Sequence, residues 1–273
     1  MYILSIYMIT KTRTAAAQQE QLIRKASEVG NGAHIFVPKE WINEQVILIR
    51  TPKKPLEEQI LELLCPYLKD VVAVFLYGSY ARGEQAEDSD IDILVVSDKK
   101  FSIKKEKFDI SVVTIENLEK SIKFNPVMFY SMIKEAKPII NSYFLKQLQA
   151  RKPKLYEFSE FISSTKDLAK INQKAIEIDR LSGEKTADPS TIYSLILRLR
   201  GTFIISQLLK GRAYSKKGFE NWLLSNLPGI DYEKIYKIYR AVRDDKKVSE
   251  KVKIEESESL LKLLKKEIKK LQK

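Results

Sequence analysis

The chain has 273 residues, 44% of them hydrophobic, and 48 Lys and Arg against 36 Asp and Glu give it a net charge of +12. This length and composition exclude a disordered chain and leave room for one large or two ordinary domains. The single cysteine, Cys65, excludes an internal disulfide, and we expect it to be buried in a protein of the reducing cytoplasm. We find no apolar stretch that approaches a membrane span in length, so we expect no membrane association.

Residues 1–52 are predicted to form a short β-hairpin unit. The first ten residues fit either an edge strand or a gene start placed upstream of Met8. The runs IRKASEVG and AHIFVP flank Gly30-Asn31-Gly32, a strong turn signal, and QVILIR predicts a third strand after a turn at KEW.

The stretch GNGAHIFVPKEW within this unit resembles the small swapped-hairpin modules of AbrB-like and transposon-linked proteins. That resemblance implies a homodimer and makes DNA a candidate partner. The unit itself is only mildly basic, so DNA binding does not follow from its charge.

Residues 53–150 have the pattern of a small α+β domain with a mixed sheet. The order is a helix over 56–69 that Pro66 kinks or ends early, then strands over 71–77, 91–97 and 108–114, with a polar loop over 80–89. Helices are predicted from about 115 to 148.

Residues 151–273 are predicted to form an all-α helical bundle. The helices are expected near 153–182, 189–210, 216–225, 231–244 and 248–272, and the second is apolar on nearly all faces, as a central helix would be.

The positive charge of the chain is unevenly placed. Residues 1–150 contain 20 basic and 19 acidic residues, whereas residues 151–273 contain 28 and 17. The excess in the bundle fits either a solvated helical surface or a site for an anionic partner. The cations that such a site would use are Arg198, Arg200, Lys210, Arg212, Lys216 and Lys217.

The most informative stretch is FLYGSYARGEQAEDSDIDILVV, residues 75–96. A buried strand ends at Gly78-Ser79, where free backbone N–H groups would form an anion nest suited to phosphate. Asp90 and Asp92 then share one face of the next strand, and Asp109 lies on a third strand. Carboxylates that converge in this way are typical ligands of Mg²⁺, which also takes oxygens of substrate phosphates.

Gly-Ser followed after ten residues by Asp-x-Asp resembles the signature of the DNA polymerase β superfamily of nucleotidyltransferases. The stretch GSYARGEQAEDSDIDILVV is close to the minimal nucleotidyltransferases, which include antitoxins that AMPylate a toxin and aminoglycoside nucleotidyltransferases. The resemblance covers about residues 56–115. It implies catalytic metal ligands at Asp90, Asp92 and Asp109, and phosphate binding at Gly78 and Ser79.

Arg82 fits two roles, because it could contact phosphate or pair with an acid of its own loop, such as Glu84. The family resemblance further implies two Mg²⁺ ions and ATP or another nucleoside triphosphate as substrate. The acceptor would be anionic, or a hydroxyl of a protein, an RNA 3′ end or a small molecule.

The helical segment IYSLILRLRGTFIISQLLKGRAYSKKGFENWL resembles the HEPN-type bundles that accompany such transferases. The ribonucleases of that class need a histidine, and the chain has none after His34, so RNase activity is excluded. Two functions remain: transfer of a nucleoside monophosphate, or a catalytically inactive regulator or antitoxin that binds DNA or a partner protein. The intact carboxylates favour the enzyme.

Overall fold

The computed structural model describes residues 22–272 except 51, 53 and 88. The expectations for the first ten residues therefore lie outside the described residues. The chain divides into two compact units, one up to Lys54 and the other from Pro55 onward.

The first unit contains one two-stranded hairpin. Strands β1 (Ser27–Val29) and β2 (Gly32–His34) pair antiparallel, and Gly30 adopts a positive φ of 52° in the turn between them. A single 3₁₀ turn follows at Lys39–Trp41. The predicted third strand is wrong, because residues 45–50 are not a strand. A strand requires a hydrogen-bonded neighbour, and among the described residues this apolar run has none.

The second unit begins with helix α1 (Leu56–Leu64), which passes into a 3₁₀ turn at Cys65–Asp70. Pro66 thus ends the α-helix early, as predicted. Cys65 is exposed, contrary to our expectation. Ile60 and Leu64 take the buried side of the helix one turn apart, and Cys65, about 100° further round, faces away from it.

The sheet of this unit has the strand order β5-β4-β3-β6. Its strands are β3 (Val71–Tyr77), β4 (Ile91–Ser97), β5 (Phe108–Thr114) and β6 (Lys137–Ile140). β4 runs parallel to β5 and antiparallel to β3, so the sheet is mixed, as predicted. The sequence analysis missed β6, a four-residue strand that pairs with the free edge of β3. The predicted loop after β3 begins instead with a short helix, α2 (Gly78–Arg82).

The two faces of the sheet bury different side chains. Ile91, Ile93 and Val95 point toward α1, and with Val74 and Leu76 they form a small core. The alternate residues, including Phe75, Leu94 and Val96, join a larger core that continues through the helices. Asp92 has the parity of Leu94 and Val96, so it lies on the face that the helices cover.

Helices complete the second unit. They are α3 (Ile115–Phe124), α4 (Pro126–Glu135), α5 (Ser142–Gln149), α6 (Ser159–Leu181), α7 (Pro189–Leu209), α8 (Lys216–Asn226), α9 (Tyr232–Arg243) and α10 (Ile254–Leu271). α4 packs on α7 and joins the sheet to the bundle. One hydrophobic core therefore spans both parts, and the predicted boundary near residue 150 stays a prediction.

Helix α7 is the centre of the bundle. It contacts α6, α9 and α10, and eleven of its 21 residues are buried. By length and composition alone α7 could cross a membrane, and it is the one such helix in the described part of the chain. The sequence analysis found no apolar stretch that approaches a membrane span in length, so it did not predict this property of α7. Its burial inside the bundle is typical of the core helix of a globular protein.

A tight contact between α6 and α7 yields a first prediction. A Cβ on Gly201 would lie 2.1 Å from Cζ of Phe161. Gly201→Ala should therefore lower the free energy of unfolding by about 1–3 kcal/mol. Each kcal/mol lost should lower Tm by about 2–4 °C. The same change in a Phe161→Leu background should cost less, because the ring that clashes is gone. Thermal unfolding of the four proteins in this cycle measures the coupling, and additive effects would contradict the contact.

Candidate active site

Three side chains form a row across the sheet. Tyr77 on β3 is directly opposite Asp92 on β4, and Asp92 is in register with Asp109 on β5. Residues opposite each other on neighbouring strands project to the same face, about 5 Å apart. Burial raises the pKa of Tyr77 to about 12, while Ser111 opposes the shift. The phenol therefore stays protonated beside the two carboxylates.

Gly78 is required by the position of Asp92. Its φ is +72°, a conformation that costs other residues energy, and a Cβ there would lie 1.8 Å from Oδ2 of Asp92. The Asp92 carboxylate consequently lies against the backbone of the Gly78-Ser79 turn. Asp92, a predicted metal ligand, is thus adjacent to the Gly78-Ser79 turn, the predicted phosphate-binding loop.

Of the three aspartates, Asp92 is the one whose charged form is disfavoured by its surroundings. Burial and then the charge of Asp109 raise its pKa to about 6, with a smaller contribution from Asp90, while Arg82 opposes the shift. Asp90 and Asp109 are exposed. An excess of negative charge around a half-buried carboxylate is the electrostatic condition that a cation relieves.

The three aspartates do not form a ready-made three-ligand metal centre. Among the described residues, no three His, Cys, Asp or Glu side chains are grouped as metal ligands. The adjacent Asp92 and Asp109 nevertheless suit Mg²⁺, which takes one or two carboxylates and completes its shell with water and phosphate oxygens.

Glu135, at the end of α4, contacts the Gly78-Ser79 turn, which is predicted to bind phosphate. Its Oε1 accepts hydrogen bonds from the Gly78 N–H at 3.0 Å and from Nη1 of Arg82 at 2.7 Å. The Glu135 side chain is only 7% exposed, and burial raises its pKa against the opposing effect of Arg82. The loop therefore already holds one anion, a carboxylate of the protein itself.

Arg82 links this loop to the helical bundle. Its Nε donates to Oε2 of Glu84 at 2.7 Å, and Glu84 in turn accepts the backbone N–H of Lys216 at the start of α8. The Arg82 guanidinium also lies 5.5 Å from the ring centre of Tyr214. Arg82 thus pairs with two acids, and its pairing with Glu84 is one of the two roles that the sequence predicted. Its other expected role, contact with phosphate, stays a prediction.

Arg200 of α7 extends the bundle toward the same site. It lies 4.8 Å from the Tyr214 ring centre, and its Nη1 donates to the hydroxyl of Tyr239 at 3.2 Å. Its guanidinium is close enough to lower the pKa of Glu135. The buried Nε of Arg200 has no hydrogen-bond partner in the described part of the chain. A buried donor without a partner is costly, so this Nε is free to donate to an acceptor atom of a ligand.

The structure therefore brings Gly78, Asp92 and Asp109 together. Ser79 lies in the first turn of α2, where backbone N–H groups have no partner within the helix, and Asp90 precedes β4 directly. Sequence reasoning missed Tyr77 and Glu135, and it named Arg200 only as one of six bundle cations that could bind an anion. Tyr77 was detectable, since it precedes the Gly-Ser turn, whereas nothing in the sequence connects Glu135 to that turn.

Comparison with known proteins identifies the class of this domain. Residues 57–178 match the family described as nucleotidyltransferase domain. Two proteins of Methanocaldococcus jannaschii named as candidate protein adenylyltransferases are also similar. MJ0141 is 29% identical over 84 residues, which cover 28% of this chain and 85% of that protein. MJ0604 is 43% identical over 49 residues, which cover 18% of this chain and 49% of that protein.

Solved structures of an adenyltransferase and of a toxin–antitoxin pair are more distantly similar to the chain. Spectinomycin adenyltransferase AAD(9) from Enterococcus faecialis, solved with ATP and spectinomycin, is 14% identical with a TM-score of 0.42, covering 78% of this chain and 97% of its own. A toxin–antitoxin structure with AMP-PNP is 18% identical with a TM-score of 0.26, covering 47% of this chain and 99% of its own. Both scores are below 0.5, so neither structure contributes to the assignment.

Residues 57–178 thus match a nucleotidyltransferase domain, and the resemblance predicted for this part of the chain is confirmed. The family and the relatives support nucleotidyltransferase activity. The family match ends at residue 178, and the resemblances predicted for the N-terminal hairpin and the helical bundle stay predictions.

The strain on Asp92 yields a second prediction. Its folded pKa of about 6 exceeds the ordinary 3.8, so the unfolded chain releases this proton first and the fold loses stability as pH rises from about 3.8 to 6. Asp92→Asn removes this cost. In the presence of EDTA it should raise Tm by about 2–4 °C at about pH 8, for a gain of about 1 kcal/mol after solvent screening.

The control for this effect is pH itself. Near pH 4.5 the wild-type carboxyl is largely protonated in the fold, so the advantage of Asp92→Asn should shrink. An equal Tm gain at both pH values, or none at either, would show that Asp92 carries no such strain.

Proposed function

We propose that the protein is a cytoplasmic adenylyltransferase that transfers AMP from ATP to a hydroxyl acceptor and releases pyrophosphate. The single observation that carries this proposal is the juxtaposition of Asp92 with Gly78, which sets a carboxylate pair beside a phosphate-binding turn. The acceptor oxygen would attack the α-phosphorus, and the bond from that phosphorus to the bridging oxygen of pyrophosphate would break.

Asp92 and Asp109 would hold Mg²⁺, with Asp90 as the third predicted ligand. When bound, Mg²⁺ neutralises phosphate charge and favours loss of the acceptor proton. The adjacent pair supports one ion, and a second ion stays part of the proposal. Asp109, exposed at the edge strand β5, would accept the proton of the attacking hydroxyl.

The triphosphate would occupy the N–H groups of the Gly78-Ser79 turn. Glu135 already accepts the Gly78 N–H, so this carboxylate must move or protonate when a phosphate oxygen takes its place. Arg82 is positioned to remain beside that oxygen, since it spans Glu135 and Glu84. Arg200, with its unpartnered Nε, would supply a further cation from the bundle.

For the acceptor we propose a protein hydroxyl. The names of the two archaeal relatives support this choice over an RNA 3′ end or a small molecule. The regulator without catalytic activity remains the alternative, with DNA or a partner protein as its ligand and the N-terminal hairpin as a dimer contact. The presence of Asp90, Asp92 and Asp109 in the chain favours the enzyme.

The test of the proposed chemistry is a set of single substitutions. Asp90→Asn, Asp92→Asn and Asp109→Asn should each lower label transfer from α-labelled ATP by at least about 100-fold, because Asn lacks the charge that a cation requires. Ser79→Ala should cost less than about tenfold, since the backbone N–H groups remain.

Each variant's Tm checks that it remains folded, and a lysate supplies the acceptor. Pyrophosphate release separates the reaction from ATP hydrolysis to ADP. Full transfer by folded Asp92→Asn would mean that the aspartates are structural, whereas absence of transfer by wild type would leave the regulator as the better description.

The bundle's share in ATP binding can be tested by a matched pair of arginines on α7. Arg200→Gln should weaken ATP·Mg²⁺ binding about tenfold or more, because a charged hydrogen bond to phosphate is lost. Arg198→Gln is the control, because the Nε of Arg198 is also buried without a partner among the described residues, but its guanidinium contacts Ser164 and Phe161 on α6. Calorimetric titration that finds equal ATP affinity in both variants would remove Arg200 from the site.

A further inference from the structure

A cavity lies apart from the candidate active site, where the helices next to the sheet meet the helical bundle. Its volume is about 390 Å³, within the range of small-molecule pockets, and it is formed by the C-terminal ends of α4, α5 and α7. Apolar walls come from Ile133, Leu148 and Leu208, which are all buried. Such walls suit a ligand with an apolar or planar body.

Cations surround this cavity without any acid in its lining. Lys134, Arg151, Lys152 and Lys210 line it. Arg151 pairs with Glu119 at 2.6 Å, whereas none of the three lysines has a carboxylate partner within the described ranges. Three uncompensated positive charges around one cavity attract an anion.

Lysines near helix C-termini often serve another purpose, because they cap the last carbonyl groups and oppose the helix dipole. Capping would give hydrogen bonds from Nζ to carbonyl oxygens. In the part of the chain that the structure describes, Lys134, Lys152 and Lys210 make no such bond. The carbonyls of Ile133 and Ala136 are instead taken by Nε2 of Gln149. The lysine charges therefore remain available to a ligand.

Tyr130 lines the cavity, and a hydrogen bond to Glu157, which does not line it, fixes the Tyr130 hydroxyl. Oε1 of Glu157 accepts the Tyr130 hydroxyl at 2.9 Å, and its Oε2 accepts the Lys154 backbone N–H at 2.6 Å. Both oxygens of the nearby carboxylate are thus engaged. Glu157 does not line the cavity, so an anion bound there would not contact its carboxylate.

The geometry points to a binding site for a small phosphate ester with an apolar or aromatic body, separate from the triphosphate turn. The phosphate binds Lys134 and Lys210, with Lys152 at the rim, and the body packs on Ile133 and Leu208. This site does not depend on the proposed adenylyl transfer. It shares α4 with the active site, because Lys134 lines the cavity and the next residue, Glu135, contacts Gly78.

Phenyl phosphate is the probe for this site, and the full-length chain is the protein. Wild type should bind it with a Kd below about 1 mM, more weakly as salt rises. Lys210→Glu and Lys134→Gln should each weaken binding about tenfold or more. Lys146→Glu is the matched control, since Lys146 is exposed on α5 and does not line the cavity, and it should bind as wild type does.

Three further measurements show whether phenyl phosphate binds in the cavity or at the Gly78-Ser79 turn, and whether both halves of the probe contribute. Arg200→Gln should retain phenyl phosphate binding, which separates the cavity from the triphosphate site. Inorganic phosphate and phenol should bind more weakly than phenyl phosphate, because each lacks one half of the ligand. Lys210 is exposed, so the Tm of Lys210→Glu should equal that of wild type.

Absence of binding by wild type, or equal binding by Lys210→Glu and Lys146→Glu, would overturn the site. Binding lost in Arg200→Gln but kept in Lys210→Glu would place the probe on the triphosphate turn and overturn it too. Equal affinity for benzoate would overturn the phosphate ester as the ligand class.

Discussion

The Glu135 carboxylate is the contact on which the site depends. It holds the Gly78 N–H and the Arg82 guanidinium at once, and so it ties the end of α4 to the turn after β3. Arg82 extends the connection through Glu84 to the first N–H of α8. A buried carboxylate that accepts two hydrogen bonds from charged and backbone donors fixes geometry that the five-residue helix α2 could not hold alone.

That connection brings opposite charges to the two sides of the Gly78-Ser79 turn. The sheet contributes Asp92 and Asp109, whose repulsion contributes to the raised pKa of Asp92, and the bundle contributes Arg200. In the proposed function a nucleoside triphosphate with a divalent cation would complement both sides, because the cation would bind the carboxylates and the phosphates would bind the arginines. The helical bundle is therefore part of the proposed nucleotide site as well as a scaffold.

Several features were readable from the sequence for physical reasons. The bounds predicted for β3, β4 and β5 agree with the structure because each strand is an apolar run that turn residues or charges delimit. The requirement for glycine at position 78 was also predictable, although the atom that enforces it, Oδ2 of Asp92, was not. The failures concern the sheet edges: QVILIR has strand composition without a neighbour, while the short β6 has a neighbour and weak composition.

The sequence by itself determined the class of chemistry, since the Gly-Ser turn and the aspartates follow one another along adjacent strands and their spacing is local. Only the tertiary structure decided which other groups meet them. Glu135 lies 57 residues from Gly78, and Lys216 lies 132 residues from Glu84. Contacts over such separations arise from how α4 and α7 pack on each other, and no local pattern of residues encodes which side chains that packing brings to the site.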